Sequence, residues 1–243
     1  MPHLLGDVTA VLMAKDPRGG SVKTRLVTGG WTAVQASDVA EVMLACIARR
    51  LREAARSLVL AVTPDGAGPA LADRLGLDPI DIVDQGSGDL GRRLDRVWRA
   101  VGTERAIAFF GADSPDVPAS LLSAIPTVLA GCDVAVGPTS DGGYWTLAAR
   151  THNPAVLEGI DWGTAHVYDQ TRRQAVAAGL VVGALPPWHD VDRPADVDAL
   201  RVRLRTLLDG PPNRPDNTDP LRWMAAQLDG LSSVRTPPEN APS

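Results

Sequence analysis

The chain has 243 residues, a net charge of −5 at pH 7 and a sequence pI of about 5.3. This length suits one α/β domain with a sizeable core, and the acidic balance argues against a nucleic-acid partner. The amino terminus lacks a secretory leader pattern, and no apolar run approaches the roughly 18 residues that span a bilayer. We therefore expect a soluble, cytoplasmic protein with no membrane partner and with both cysteines reduced.

A glycine-rich basic loop follows the first predicted strand. Residues 8–14 form an unbroken apolar run, which is typical of a strand buried in a parallel sheet. The loop, K-D-P-R-G-G-S-V-K-T-R-L, places four cations around Gly19 and Gly20, namely Lys15, Arg18, Lys23 and Arg25. Ligands bind at the carboxyl ends of such strands, where glycines let backbone N–H groups approach an anion. The pattern predicts a phosphate-binding loop.

Lysine usage points to the same loop. Lys15 and Lys23 are the only lysines of the chain, and arginine supplies the other Lys/Arg positions. Arginine does not reproduce a compact ammonium, so these two positions are expected to need one. The alternative is a solvated basic loop in which two lysines fall by chance.

Helices and strands alternate in the following stretch. We predict a helix over 32–55 with Thr32 as its N-cap, a strand over 57–63, a short helix over 69–75 and a short strand over 80–83. This order implies right-handed parallel crossovers. The sequence therefore predicts a mostly parallel α/β sheet.

A second glycine-containing loop, Q-G-S-G-D-L-G-R-R-L, begins at Gln85. It is either a flexible connector to a helix over 89–101 or a ligand loop in which Gln85 offers its amide to a nucleobase. Gly86, Gly88 and Gly91 fit both interpretations. The position after a strand favours the ligand loop.

A carboxylate follows the central strand predicted over 105–111. Asp113 lies in a turn fixed by Pro115, where it could ligate a hard divalent cation that also holds ligand phosphates. The alternative is a cap or turn residue, since Asp before Ser-Pro often has that role. A helix is expected over 118–130.

Two further loops carry candidate site residues. After a strand over 133–137, Asp141-Gly142-Gly143 is a hairpin-turn sequence, but Tyr144 follows it directly, where its ring could stack on a ligand. We assign Asp141 to the site on this basis. Trp162 would either line an acceptor pocket or cap the core.

The last loop contains Asp190 and Asp192, between a strand over 180–185 and a helix that Pro194 begins. If the backbone is extended, their side chains point apart, so one would reach the metal while the other holds structure. From Asp209 onward, prolines and polar residues predict a largely disordered or loosely docked tail around one amphipathic piece, 221–228.

Five motifs together resemble the bacterial family named radical-SAM/selenodomain-associated transferase, whose members are often labelled glycosyltransferases. They are the basic loop, Q-G-S-G-D-L-G-R-R-L, G-A-D-S-P, G-P-T-S-D-G-G-Y and D-V-D-R-P-A-D-V, and the likeness covers about residues 8–206. That family is similar to the nucleotide-diphospho-sugar transferase superfamily. The resemblance implies a GT-A type domain over 1–208, a single Rossmann-like three-layer α/β/α domain with a mostly parallel central sheet.

The resemblance also implies roles for residues of these motifs. Lys15, Lys23 and Arg25 would hold nucleotide phosphates, and Asp113 and Asp192 would hold Mg²⁺ or Mn²⁺. G-A-D-S-P offers one aspartate where many glycosyltransferases have D-x-D. Catalysis is assigned to Lys23, Asp113, Asp141 and Asp192. The other residues assigned to substrate binding are Pro17, Gly19, Gly20, Gln85, Gly88, Leu90, Gly142, Gly143, Tyr144 and Trp162.

Two reactions fit these motifs. In glycosyl transfer, an acceptor hydroxyl attacks a nucleoside diphosphate sugar, with Asp141 or Asp192 as base, and this is the leading hypothesis. In nucleotidyl transfer, a phosphorylated acceptor attacks a nucleoside triphosphate, which also suits a loop rich in cations. A non-catalytic nucleotide-binding protein is the third hypothesis. The expected partners are a nucleotide or nucleotide-sugar donor and a small-molecule acceptor, and a homodimer is compatible with the sequence.

Overall fold

The computed structural model describes residues 3–19, 22–77, 79–209 and 219–232. Its strands are β1 (Thr9–Lys15), β2 (Leu58–Thr63), β3 (Asp81–Asp84), β4 (Ile107–Phe110), β5 (Val134–Pro138), β6 (Tyr144–Ala149) and β7 (Val182–Ala184). Its helices are α1 (Thr24–Thr28), α2 (Ala33–Ala54), α3 (Gly68–Leu75), α4 (Leu90–Val101), α5 (Ala119–Leu129), α6 (Val167–Ala177), α7 (Pro194–Leu208) and α8 (Pro220–Ser232). Short 3-10 turns span Pro17–Gly19 and Pro154–Leu157.

The strands form one sheet in the order β3-β2-β1-β4-β6-β5-β7. β1 lies at its centre and pairs in parallel with β2 and β4. Only β6 runs antiparallel, to both β4 and β5, so the predicted mostly parallel sheet is confirmed. The sequence analysis assigned no strand to 144–149, because an apolar run after a turn does not reveal whether it turns back into the sheet.

Helices cover both faces of the sheet, which confirms the three-layer α/β/α architecture. On one face, apolar side chains of α2, α3 and α5 pack with those of β1 and β2. On the other face, α4 and α6 pack against the sheet through residues that include Leu94, Trp98 and Ala175. Sheets with parallel strands require such cover on both sides.

Local sequence signals explain where the long helices begin. Thr32 caps α2 in a capping box: its hydroxyl accepts a hydrogen bond from the Gln35 amide at 3.1 Å, and the Gln35 side chain accepts one from the Thr32 amide at 2.9 Å. Asp89 caps α4 through the Arg92 amide at 2.8 Å. Pro194 begins α7, as predicted.

The loop before α7 is fastened to the loop after β4. The Val191 amide donates to the Asp113 carbonyl oxygen at 2.9 Å, and the Ser114 hydroxyl donates to the His189 carbonyl oxygen at 2.8 Å. Two segments about 75 residues apart in sequence therefore meet at the same edge of the sheet, next to the end of β1.

Part of the predicted tail is folded onto the domain. Residues 220–232 form α8, whose Met224 and Leu228 are fully buried against α2 and α7. For these residues the prediction of a largely disordered tail is wrong, because their apolar side chains fill a groove that the sequence does not reveal. Residues 210–218 and 233–243 lie outside the described residues. Among the helices that the structure describes, none is both long and apolar enough to cross a membrane.

The docking of α8 predicts a difference between two leucine substitutions. Leu228→Ala should lower the free energy of unfolding by about 2–5 kcal/mol, because it removes a fully buried side chain and leaves a cavity. Leu207→Ala is the matched control, since Leu207 on α7 is 55% exposed and should change stability by about 0.5 kcal/mol or less. Urea denaturation measures both, and equal losses would contradict the packing of α8.

Candidate active site

Lys23 connects the segments that meet at this sheet edge. Its amine donates to Asp113 Oδ1 at 2.5 Å, to Asp192 Oδ1 at 3.0 Å and to the Val191 carbonyl oxygen at 2.5 Å. Arg25 donates to the other oxygen of Asp192 at 2.8 Å. Residues that the sequence analysis placed in one phosphate and metal site are thus brought together.

The backbone of Lys23 is held in an unusual conformation. With φ 47° and ψ 44°, it is the one non-glycine residue with a left-handed backbone among the residues described. Such a conformation costs on the order of 1–3 kcal/mol and persists only where surrounding contacts enforce it. Here it starts α1 and directs the side chain inward, where only 7% of it stays exposed.

The ion pairs of Lys23 shift the pKa values of Lys23 and Asp192. Burial alone would lower the pKa of the Lys23 amine, but Asp113 and Asp192 raise it above its ordinary value. Burial alone would raise the pKa of Asp192, but Lys23 and Arg25 lower it. Lys23 is therefore held as an ammonium and Asp192 as a carboxylate over the physiological range.

A cavity of about 530 Å³ opens beside Lys23, and we call it the donor cavity. Its cations are Lys15, Lys23 and Arg25, and Pro17 also lines it. Its apolar walls come from both sides of the sheet edge, including Met13, Met43, Leu90, Phe109 and Phe110. A lining that combines charged groups with apolar walls suits a ligand with a phosphate part and a flat apolar part.

A second cavity of about 670 Å³, the acidic cavity, adjoins the donor cavity. The two share the lining residues Arg25, Leu90, Asp113, Tyr144 and Asp192. Five aspartates and two arginines line the acidic cavity: Asp113, Asp141, Asp190, Asp192, Asp196, Arg25 and Arg193. With the shared Asp113 and Asp192 counted in both, the donor cavity has three cations and two carboxylates, and the acidic cavity has two cations and five carboxylates, so their net formal charges have opposite sign.

Three of these carboxylates converge. Oxygen atoms of Asp141, Asp190 and Asp192 lie within 4.8 Å of one another. The expectation that Asp190 and Asp192 point apart required an extended backbone, and that condition is not met, because the loop is tied to Asp113 and is not a strand. Burial, followed by the charges of Asp141 and Asp192, raises the pKa of Asp190.

The turn between β5 and β6 presents Asp141 to the acidic cavity. Asp141 accepts hydrogen bonds from the Thr139 hydroxyl at 2.6 Å and from the Gly143 amide at 3.0 Å, so the hairpin-turn interpretation is also correct. Gly142 has φ 87°, and a Cβ there would lie 2.1 Å from the Ala165 carbonyl oxygen. Gly142 is thus required by the close approach of the loop around residue 165, while Gly143 lines the cavity.

Tyr144 and Trp162 form the aromatic part of the site. Tyr144 lies at the junction of both cavities, and its buried hydroxyl has no hydrogen-bond partner among the described residues. Burial raises the pKa of Tyr144. Trp162 lines the acidic cavity and also packs on Gly91 of α4, where a Cβ would lie 2.8 Å from the indole nitrogen. Trp162 therefore lines a cavity and packs on the core, and that this cavity receives an acceptor stays a prediction.

Arg18 does not join the other three cations of the basic loop. Its guanidinium pairs with Glu41 at 2.9 Å, and Arg74 pairs with Asp16 at 2.5 Å and with Glu41 at 3.4 Å. The Asp16 carboxylate also accepts the Arg18 amide at 3.0 Å. This network, in which Asp16 and Arg74 are mostly buried and Arg18 is mostly exposed, anchors the loop. No sequence pattern reveals it, because α3 carries no motif.

The predicted base-reading role of Gln85 is wrong. Gln85 is 3% exposed, and its amide nitrogen donates to the carbonyl oxygens of Ala14 and Ala61 at 3.0 and 2.8 Å. Both amide hydrogens are therefore used to join β1 and β2 to this loop.

The other predicted binding residues of the two glycine-containing loops differ in position. Gly88 does not line either cavity, whereas Leu90 lines both. Gly19 ends the 3-10 turn behind the donor cavity, and Gly20 lies outside the described residues.

The oxygens around Lys23 fit a divalent cation. Two carboxylates and one backbone carbonyl, from Asp113, Asp192 and Val191, already surround one positively charged atom. Mg²⁺ and Mn²⁺ prefer such hard oxygen ligands. The donor set therefore agrees with the ion that the motifs imply.

Residues 29–164, more than half of the chain, match a family described as "Uncharacterized protein conserved in bacteria (DUF2064)". The chain belongs to the DUF2064 family. Among curated proteins, no sequence matches it.

Solved structures place this DUF2064 protein in the nucleotide-diphospho-sugar transferase fold. A candidate nucleotide-diphospho-sugar transferase from Desulfovibrio desulfuricans G20 is 28% identical with a TM-score of 0.73, over 93% of this chain and 98% of that one. A nucleotidyl transferase from Methanothermobacter is 16% identical with a TM-score of 0.54, over 84% and 99%. CMP:2-keto-3-deoxy-manno-octonic acid synthetase in complex with CTP is 13% identical with a TM-score of 0.51, over 84% and 100%. The last two show the shared fold alone.

The pKa shifts predict opposite effects for two neighbouring aspartates. Folding lowers the pKa of Asp192 from 3.8, so its charge stabilises the native state at pH 7 and that contribution is lost as the pH falls through the lower native value. Folding raises the pKa of Asp190 from 3.8, so its charge destabilises the native state at pH 7, and that cost declines as the pH falls from the higher native value to 3.8.

Asp192→Asn should therefore lower the free energy of unfolding at pH 7, and Asp190→Asn should raise it. Urea denaturation at pH 7, 5 and 3 measures both. On acidification, the effect at position 190 should vanish first. A change of the same sign at both positions at pH 7 would contradict the assignment.

Proposed function

We propose that this DUF2064 protein is a metal-dependent glycosyltransferase that uses a nucleoside diphosphate sugar and a small-molecule acceptor without a phosphate at its reacting end. The observation that carries the proposal is the pair of adjoining cavities with opposite charge. A cationic cavity suits the diphosphate of the donor, and an acidic cavity suits a hydroxyl-bearing acceptor. The motif likeness to radical-SAM/selenodomain-associated transferases and the resemblance to the Desulfovibrio protein agree with this class.

The donor binds in the cationic cavity in this proposal. Lys15, Lys23 and Arg25 hold the diphosphate, and the apolar walls around Leu90 and Phe109 receive the nucleoside. Charge develops on the departing diphosphate as the sugar carbon is released, and fixed cations stabilise it without reorganisation. A buried ammonium such as Lys23 is especially effective, because water screens it little.

Asp113 and Asp192 would hold Mg²⁺ or Mn²⁺ at the junction of the two cavities. When bound, such an ion neutralises part of the diphosphate charge and fixes the direction of the leaving group. Asp192 is suited to ligation because Lys23 and Arg25 keep it ionised. Asp113 is suited because its side chain is 56% exposed toward the cavities.

The acceptor binds in the acidic cavity, beside Tyr144 and Trp162. Its hydroxyl loses a proton as it attacks the sugar carbon, so a carboxylate must lie nearby. Asp192 already pairs with two cations, which favours Asp141 for this role. Asp141 is exposed in the cavity and belongs to a turn that hydrogen bonds fix in place.

Nucleotidyl transfer is the second candidate, favoured by the three loop cations and by the fold shared with nucleotidyl transferases. In that reaction a phosphorylated acceptor attacks the α-phosphorus and pyrophosphate leaves. The acidic cavity disfavours it, because a phosphate acceptor would enter a space lined by five carboxylates.

The product released distinguishes the two reactions. With Mg²⁺ or Mn²⁺, a panel of sugar nucleotides should give a nucleoside diphosphate, because slow transfer to water occurs even without the true acceptor. Nucleoside triphosphates mixed with phosphorylated sugars should give no pyrophosphate. Chromatography of the products measures both. Pyrophosphate release would decide for nucleotidyl transfer, and ligand binding without any product in either panel would support a non-catalytic binding protein.

Diphosphate recognition predicts unequal effects for two exposed arginines. Arg25→Ala should weaken binding of the nucleoside diphosphate with the largest thermal shift by about 10- to 100-fold, since a charge-assisted hydrogen bond contributes about 1.5–3 kcal/mol. Arg205→Ala is the matched control, because Arg205 is exposed on α7 and its described ion pair is with Asp229 at 3.7 Å. Calorimetry measures both affinities, and equal effects would contradict the location of the donor cavity.

A further inference from the structure

The Lys23 amine lies at the position that the proposed ion would need. Its three acceptors are Asp113 Oδ1, Asp192 Oδ1 and the Val191 carbonyl oxygen, at 2.5 to 3.0 Å. A Mg²⁺ ion bound to the same oxygens would lie about 2.0–2.1 Å from each. An ammonium and a metal ion cannot both occupy this space, because both bear positive charge and both require the same oxygens.

The surrounding contacts let Lys23 leave without collapse of the site. Arg25 holds the second oxygen of Asp192 at 2.8 Å, and the Val191 amide holds the Asp113 backbone at 2.9 Å. Neither contact involves Lys23. The Asp192 carboxylate and the backbones of Asp113 and Val191 would therefore keep their places while the flexible four-carbon side chain of Lys23 turns away.

We propose that Lys23 is an exchangeable internal counter-ion, which fills the Asp113–Asp192 cation site in the ligand-free protein and gives it up to a divalent ion when a diphosphate is present to receive the amine. This inference rests on the proposed function and adds an order of events to it. An ion alone must displace a paired ammonium, whereas an ion arriving with a diphosphate offers the amine a new anionic partner.

The exchange couples the two ligands. Because the amine leaves the carboxylates only when the diphosphate stabilises it elsewhere, each ligand should tighten the binding of the other. The protein would then bind a free divalent ion weakly and a metal–diphosphate complex strongly. Between turnovers, the Lys23 ammonium would neutralise the carboxylates of the Asp113–Asp192 cation site.

Manganese binding to three proteins tests the exchange. Electron paramagnetic resonance of free Mn²⁺ measures its affinity for the wild type, Lys23→Met and Lys15→Met, with circular dichroism as the check on folding. We expect Lys23→Met to bind Mn²⁺ at least tenfold more tightly than the wild type, because the competing ammonium is gone. Lys15→Met is the comparison within the donor cavity: it removes the other ammonium but leaves the contacts of Lys23 with Asp113 and Asp192 in place, so its affinity for Mn²⁺ should rise much less than that of Lys23→Met.

The outcomes separate this inference from the proposed function. If Lys23→Met binds Mn²⁺ no more tightly than the wild type while Asp113→Asn binds it more weakly, the ion site stands and the exchange is overturned. If no variant binds Mn²⁺, and the wild type does not bind magnesium pyrophosphate either, both the exchange and the metal-dependent function are overturned.

A measurement on wild-type side chains covers the case in which Lys23→Met does not fold. Because the chain has two lysines, protein labelled with ¹⁵N-lysine has two side-chain ammonium signals, which Lys15→Met assigns. Titration with magnesium pyrophosphate should shift the Lys23 signal as its partners change from carboxylates to phosphate. An unshifted Lys23 signal at saturating magnesium pyrophosphate would overturn the exchange.

Discussion

The ion pairs of Lys23 are the constraint on which the site depends. They join positions separated by 90 and 169 residues in sequence, so they can form only if the sheet brings three distant loops to one edge. The strand order meets that condition. Lys23 follows β1, Asp113 follows β4, which pairs in parallel with β1, and Asp192 follows β7, which pairs in parallel with β5. The left-handed backbone of Lys23 is then the local cost of pointing an ammonium into the place where those loops meet.

Two groups of the site reduce the stability of the ligand-free protein. Asp190 faces two other carboxylates, which raises its pKa, and the Tyr144 hydroxyl is buried without a described partner. A buried hydroxyl or a crowded carboxylate reduces stability, and neither contributes to packing. Tyr144 lines both cavities, and Asp190 lines the acidic one. A ligand that supplies a hydrogen-bond partner and a cation there would relieve both, which is the usual relation between a strained free site and its substrate.

Short-range signals predicted the elements well, and long-range contacts escaped prediction. Apolar runs and the Thr32 capping box located β1 and α2 within about one residue, because such signals lie within the element itself. The antiparallel return of β6, the docking of α8 and the use of Gln85 as a link between β1 and β2 depend on neighbours far along the chain. In the site, the predicted cations Lys15, Lys23 and Arg25 line one cavity, but Arg18 pairs with Glu41 on α2, a partner that no motif reveals.

The opposite charge of the two cavities bears on which reaction the fold performs. Related folds serve both sugar and nucleotidyl transfer, so the choice has to come from side chains and not from the sheet. Nucleotidyl transfer brings two phosphate groups together, and an enzyme for it needs cations on both sides of the reacting phosphorus. Here Lys15 and Lys23 line the donor cavity alone and Arg25 lines both cavities, while the acidic cavity adds Arg193 but also Asp141, Asp190 and Asp196. A hydroxyl needs a carboxylate as proton acceptor and is not repelled by it, so this distribution of charge favours attack by an alcohol on a sugar carbon.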